Sequence, residues 1–185
     1  MSVYQDSELR NWAKDNVTPY EEKNINPASL DLMLGSEIKV PMWYWGNSFT
    51  RWIVWKFRSK LNLKMWSDGI QFETFTLWPG KFVLCHSLEI TNVPNNAIAL
   101  LFSKSSTGRI GLEHLHAGFG DSGFKGQWTW EFENVAPWPI ELIAGKRLMQ
   151  VALIQTLSVP ETLYGQVGRY QGQMGATAPR KERVL

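Results

Sequence analysis

The chain has 185 residues, 44% hydrophobic and 19% charged, a size and mixture suited to one globular domain with a real core. A net charge of +2 leaves no large basic surface for a nucleic acid, although a few placed cations suffice for a single nucleotide. The single cysteine, Cys85, excludes an intrachain disulfide framework and any Cys-x-x-Cys zinc site. With no apolar run of bilayer length and no signal-peptide core in MSVYQDSELR, the expected compartment is the cytoplasm, with no membrane partner.

In chain order, residues 3–14 read as an opening helix. Asp6 and Ser7 offer capping oxygens, and Leu9 and Trp12 share a face. Five of the ten tryptophans (Trp43, Trp45, Trp52, Trp55 and Trp66) fall between positions 43 and 66. They suit core and subunit-interface packing, or alternatively a platform for stacking bases. After Pro19 the segments FVLCH, AIALLF, IEL and VALIQ carry a strand signal, punctuated by Pro79-Gly80, Pro94-Asn95-Asn96 and Ala144-Gly145. Short strands at this spacing imply a mainly β barrel or jelly-roll-like fold, as one domain over 1–185 without repeat or linker.

The stretch 103–133 carries the chemistry. In Ser103-Lys104-Ser105-Ser106-Thr107-Gly108-Arg109, hydroxyls precede a short helical turn whose N–H groups they can cap or which can face phosphate oxygens. Lys104 and Arg109 place charge beside them. The turn Ala117-Gly118-Phe119-Gly120-Asp121-Ser122-Gly123-Phe124 lets a ligand approach the main chain. There Asp121 can accept from a sugar hydroxyl and Phe124 can pack on the sugar ring; an ordinary β-turn with an Asx bond reads equally well. Glu131 lies between Trp130 and Phe132, so strand alternation places Glu131 and Glu133 on one face and the aromatics on the other. That face is either solvated or lines a cleft in which a carboxylate shuttles protons. His114 and His116 also share a face, but without a third ligand they make a weak metal site.

From Tyr164 to Leu185 the glycines Gly165, Gly168, Gly172 and Gly175 suggest a frayed tail. Tyr164, Arg169, Tyr170 and Gln173 suggest instead a segment that closes over a ligand.

Taken together, Ile25-Asn26-Pro27-Ala28-Ser29-Leu30-Asp31-Leu32-Met33-Leu34-Gly35, Leu77-Trp78-Pro79-Gly80-Lys81-Phe82-Val83-Leu84, the stretch 103–133 and Gly168-Arg169-Tyr170-Gln171-Gly172-Gln173-Met174-Gly175-Ala176-Thr177-Ala178-Pro179-Arg180 resemble the dCTP deaminase family. That family includes bifunctional dCTP deaminase/dUTPases and is related to the trimeric dUTPases. The Trp-rich stretch 41–68 is not covered by the resemblance.

The resemblance implies a homotrimer of distorted β-barrels of dUTPase type, with sites between subunits and residues 164–185 folding over the nucleotide. It implies deamination of dCTP to dUTP and ammonia, without a protein zinc site and with Mg²⁺ carried on the substrate triphosphate. Continuation to dUMP and diphosphate is left open. Glu131 matches the catalytic glutamate, which passes a proton from water towards the departing ammonia, and Ser105 and Arg109 match residues that orient and polarise the site. The backbone around His116 and Ala117 would contact water and base, and Asp121 and Phe124 would contact the deoxyribose. Asp121 would also activate water in a bifunctional enzyme. Lys104, Ser106, Tyr164, Arg169 and Gln173 match triphosphate contacts.

Plain dUTPases carry an aliphatic residue where this chain has Glu131, whereas Ala117-Gly118-Phe119 and the GRYQGQ tail resemble the bifunctional members. Three positions depart from the family pattern: Lys104 stands for arginine, His116 for threonine and Gly120 for isoleucine, which allows a changed base preference. The rival readings are a dUTPase alone and a silent nucleotide-binding sensor of the same fold.

Overall fold

A computed structural model describes residues 2–42, 52, 56, 57, 64–115 and 117–180. Trp43, Trp45, Trp55 and His116 lie outside the described residues.

Helix α1 spans Asp6–Asn16. Its cap is Gln5, whose backbone N–H donates to Glu8 Oε2 at 3.2 Å, so Asp6 and Ser7 are first-turn residues and not the cap expected from sequence. Asp6 and Glu8 set negative charge against the N-terminal end of the helix dipole. Leu9, Trp12 and Ala13 are buried as one stripe, and Trp12 Nε1 donates to the Asn92 carbonyl at 2.9 Å.

Twelve strands follow among the described residues. They are β1 (Val17–Thr18), β2 (Leu30–Met33), β3 (Glu37–Ile38), β4 (Ile70–Gln71), β5 (Thr74–Leu77), β6 (Phe82–Asn92), β7 (Ala97–Ser103), β8 (Leu112–His114), β9 (Phe119–Gly120), β10 (Lys125–Asn134), β11 (Ile140–Ile143) and β12 (Arg147–Gln155). Short helices α2 (Ser105–Arg109) and α3 (Tyr164–Val167) interrupt and follow them. All the pairing is antiparallel. The sheet orders are β1-β6-β10-β8 and β2-β12-β7-β9, with two-stranded pairs β11-β5 and β3-β4.

The mainly β expectation therefore holds, and all four segments read as strands lie in β6, β7, β11 and β12. Both larger sheets feed one core. Val83, Cys85, Trp130 and Phe132 enter it from the first, and Leu32, Leu101, Met149 and Val151 from the second. The barrel is distorted in that its sheets meet through local bridges such as Leu34–Ser87 and form no continuous ring among the described residues.

Two features of this frame position the site. On β10, Trp130 and Phe132 are fully buried while Glu131 and Glu133 on the opposite face are half-buried, as period-2 alternation requires. Further up the strand the register with β6 slips between Gln127 and Thr129. Ser87 fills the irregularity: its hydroxyl accepts from the Trp128 N–H at 2.9 Å and donates to the Glu89 carbonyl at 2.7 Å. A bulge re-aims side chains, and here Gln127 and Trp128 are both buried in succession.

The Asn26-Pro27-Ala28-Ser29-Leu30-Asp31 run is also explained by the fold. Asn26 closes its turn through an N–H donated to the Ser29 carbonyl, and its side-chain amide donates to Asp31 Oδ1 at 2.9 Å. Asp31, 1% exposed, then accepts Lys104 Nζ at 2.5 Å and Arg147 Nη1 at 3.4 Å on its other oxygen. The motif therefore ties β2 to β12 and to the residue that precedes α2.

Candidate active site

A cleft of about 400 Å³ opens between the turn 117–124, the outer face of β10 and the C-terminal segment. That volume is in the range of small-ligand pockets. Ala117, Asp121, Phe124, Glu131, Tyr164, Tyr170 and Gln173 all line it, so seven of the residues singled out in the sequence are brought together.

The turn is fixed from beneath. Ser122 is buried with its hydroxyl donating to the Ala97 carbonyl at 2.7 Å, and the Phe124 N–H donates to the Asp121 carbonyl at 3.1 Å. Asp121 is left exposed at the rim, while Phe124 is buried against Trp128 and Tyr164, with ring centroids 4.4 and 5.6 Å apart. These three rings form an aromatic wall. Gly120 explains how the wall fits, since a Cβ there would fall 2.3 Å from Trp128 Cη2. The departure at Gly120 and the indole at 128 therefore belong together: the glycine vacates the volume that the ring occupies.

Glu131 lies on the cleft side of β10, its side chain 25% exposed. Its Oε2 is shut from solvent with no hydrogen-bond partner among the described residues, and the equally buried Nε2 of His114, likewise without one there, stands 3.4 Å away. Behind the strand, burial and then the Glu131 charge push the Cys85 thiol far above its ordinary range, leaving it an inert core residue.

The C-terminal segment is tied along the outer part of β10. The Gly172 N–H donates to the Lys125 carbonyl at 2.8 Å, and Gln127 N–H to the Gln173 carbonyl at 2.9 Å. Gln173 Nε2 donates to the Gln127 carbonyl at 2.8 Å, Gly175 N–H to Gln127 Oε1 at 2.7 Å and Ala176 N–H to Glu37 Oε1 at 3.2 Å. Tyr164 and Tyr170 are linked by the Tyr170 N–H donating to the Tyr164 hydroxyl at 3.2 Å. Residues 164–180 thus dock on the body and form the cleft's outer rim.

The remaining candidates lie elsewhere. Ser105, Ser106 and Arg109 are exposed on α2 and do not line the cleft. Lys104 is held by Asp31, and Arg169 is exposed on the tail outside the lining. His116 falls outside the described residues. Among the described residues no group of three or more His, Cys, Asp or Glu is arranged to hold a metal ion.

Sequence reasoning missed Trp128, Thr129, Thr177 and the cleft-facing role of Trp66. Trp66 packs edge-on against Phe82 at 5.6 Å, so this one member of the Trp-rich stretch reaches the cleft. Trp52 is half-exposed, with Lys56 Nζ 4.8 Å from its ring centroid. The available signal for Trp128 was the neighbouring Gly120, legible only when the two were considered as a size-compensating pair.

Comparison with known proteins bears on the family and the fold. A family model described as dCTP deaminase-like matches residues 3–156. A protein of Tropheryma whipplei (strain Twist) named dCTP deaminase, dUMP-forming, is 35% identical over 166 residues, covering 88% of this chain and 82% of the relative. A protein of Parafrankia sp. (strain EAN1pec) with the same name is 37% identical over 169 residues, covering 89% and 82%. The crystal structure of 2′-deoxycytidine 5′-triphosphate deaminase from Agrobacterium tumefaciens shares the fold at a TM-score of 0.62 and 24% identity, covering 82% of this chain and 47% of that one. No described helix is long and apolar enough to cross a membrane. On the family match and these relatives, the chain belongs to the dCTP deaminase-like family.

Proposed function

We propose that the protein deaminates dCTP hydrolytically and carries the product on to dUMP and diphosphate. The observation that carries the reading is Glu131, a carboxylate on the cleft face of a strand whose other face is core, opposite the turn that presents Asp121. Glu131 takes a proton from water, and the resulting hydroxide forms a bond to C4 of cytosine. The proton then passes to the exocyclic amine, the C4–N4 bond breaks and ammonia leaves, while the proton of the added hydroxyl moves to N3, so that C4 becomes the uracil carbonyl. In the second step Asp121 orients water for attack on the α-phosphorus, and the P–O bond to diphosphate breaks. The dUMP-forming relatives support this continuation, as do Ala117-Gly118-Phe119 and the GRYQGQ tail.

The described lining offers two carboxylates and no lysine or arginine, an arrangement that cannot by itself hold a triphosphate. The cations come from α2 of a neighbouring subunit, with exposed Ser105, Ser106 and Arg109 completing the cleft, and from Arg169 on the tail. Lys104 acts there through its pairing with Asp31. Phe102 near the end of β7, 50% exposed, supports burial of this edge in a homotrimer. Mg²⁺ travels on the phosphates of the substrate, neutralising their charge. The reading is of a deaminase without a Cys-x-x-Cys zinc site, which a chain whose one cysteine lies in the core cannot build. The segment 164–185, whose last five residues lie outside the described residues, is read as the lid.

Glu131→Gln tests the assignment. Ammonia release from dCTP should fall by about 10³-fold or more while dCTP still binds. Wild-type turnover in that variant rules the role out, and a wild-type protein that hydrolyses dUTP without any attack on dCTP favours the dUTPase reading.

A further inference from the structure

His114 ends β8 directly opposite Phe132 of β10, its ring edge-on to the phenylalanine with centroids 6.0 Å apart. It is 3% exposed. Among the described residues its Nε2 has no hydrogen-bond partner, and neither has the buried Oε2 of Glu131, 3.4 Å away. Two lone pairs facing each other out of water repel, and each buried polar atom left unpaired is costly. A hydrogen therefore stands between them. It belongs on the imidazole in the resting protein, because only then does Glu131 keep a free carboxylate for its task. The separation is slightly long for an N–H···O bond, as hydrogen bonds at reaction centres often are before substrate closes the site.

We propose that His114 is the positioning residue of Glu131. Its Nε2–H holds Oε2, fixes the carboxylate rotamer and leaves Oε1 as the oxygen that faces the cleft. The inference rests on the deaminase reading of Glu131. In the reaction the water proton goes to Oε1 and from there to the departing amine, while the His114 proton stays on Nε2 throughout. Phe132 fixes the imidazole in turn, so the packing that buries the aromatic face of β10 also aims the acid on its other face. His114 thus belongs with Glu131, not with a metal pair.

The test uses the full chain with His114→Phe, which keeps a buried ring but removes the donor, and His114→Gln, which restores an N–H near Nε2. His114→Phe should lower kcat for ammonia release by about 10- to 100-fold with KM within about twofold and Tm retained. His114→Gln should recover most of the loss. A wild-type kcat in His114→Phe overturns the proposal. So does a loss shared equally by kcat, KM and Tm that Gln fails to rescue.

A readout independent of turnover separates this inference from the deaminase reading. In ¹⁵N-histidine NMR of the wild-type protein, His114 Nε2 should carry a proton and shift on Glu131→Gln. An Nε2 without a proton, or one insensitive to that substitution, overturns the proposal even if dCTP is consumed. If no dCTP is consumed and the signal shifts, the contact stands and the deaminase reading fails.

Discussion

The main chain of Gln173 crosses Gly126 so closely that a Cβ on Gly126 would stand 2.8 Å from the Gln173 carbonyl oxygen, and Gly126 itself sits at φ +153°. Only glycine meets both conditions. Gly126→Ala should lift the tail from β10 while leaving the core intact. We expect kcat/KM to fall by about 10-fold or more, with faster proteolysis of the tail and strain of about 1–3 kcal/mol or less in overall stability. Unchanged kcat/KM together with faster tail cleavage would show that the docked tail is not a lid.

Gly120 and Trp128 should behave as a coupled pair. Gly120→Ile places side-chain carbon where the indole stands and should destabilise the protein by about 1–3 kcal/mol. Combining it with Trp128→Ile should return part of that loss, a coupling that a double-mutant cycle of denaturation midpoints would detect. Simple additivity would mean the two do not share the volume.

Asp31→Asn leaves Lys104 and Arg147 without their shared carboxylate. Asp31 is buried, while the Lys104 and Arg147 side chains are 24% and 46% exposed, which moderates the penalty. A loss of about 2 kcal/mol is expected, with activity reduced as α2 loses its anchor. Urea denaturation of the variant checks the first half, and a midpoint equal to wild type contradicts it.

Stability should depend on pH through two buried groups of opposite sign. His86 is held neutral, with burial pulling its pKa below the ordinary value of 6.5; Nδ1 lies 2.7 Å from the Ser87 carbonyl and Nε2 accepts the Glu37 N–H at 3.2 Å. The unfolded chain binds that proton first, so this contribution is present above pH 6.5 and is lost as pH falls. Glu89, accepting the Met33 N–H, is pushed by burial from 4.5 up to about 7. Here the folded state binds the proton, so the contribution is present below 4.5 and lost as pH rises through about 7. Glu89→Gln should therefore gain Tm on wild type above pH 7, on the order of 5 °C, with the gap closing towards pH 5. A pH-independent Tm difference would contradict it.

The long strands and α1 were legible because their periodicity runs over enough residues to fix a face, as in Leu9 and Trp12 or Trp130 and Phe132. Strands such as Glu37–Ile38 and Phe119–Gly120 were not, since two residues show no period and owe their state to a neighbouring strand. The Gln5 cap was missed because side-chain propensity favours Asp6 and Ser7, whereas the reciprocal bond from Glu8 decides where the helix starts. Within the site, Glu131, Asp121, Phe124 and Gln173 were readable as motif residues. Trp128 and His114 were not, because a bulge aims one and the other matters through an atom across the β8–β10 ladder.

The deciding experiment incubates the wild-type protein with dCTP and Mg²⁺ and quantifies ammonia, nucleotide and diphosphate. One ammonia, one dUMP and one diphosphate are expected for each dCTP consumed. Accumulation of dUTP would contradict the second step, and intact dCTP with no ammonia released would contradict the deamination itself.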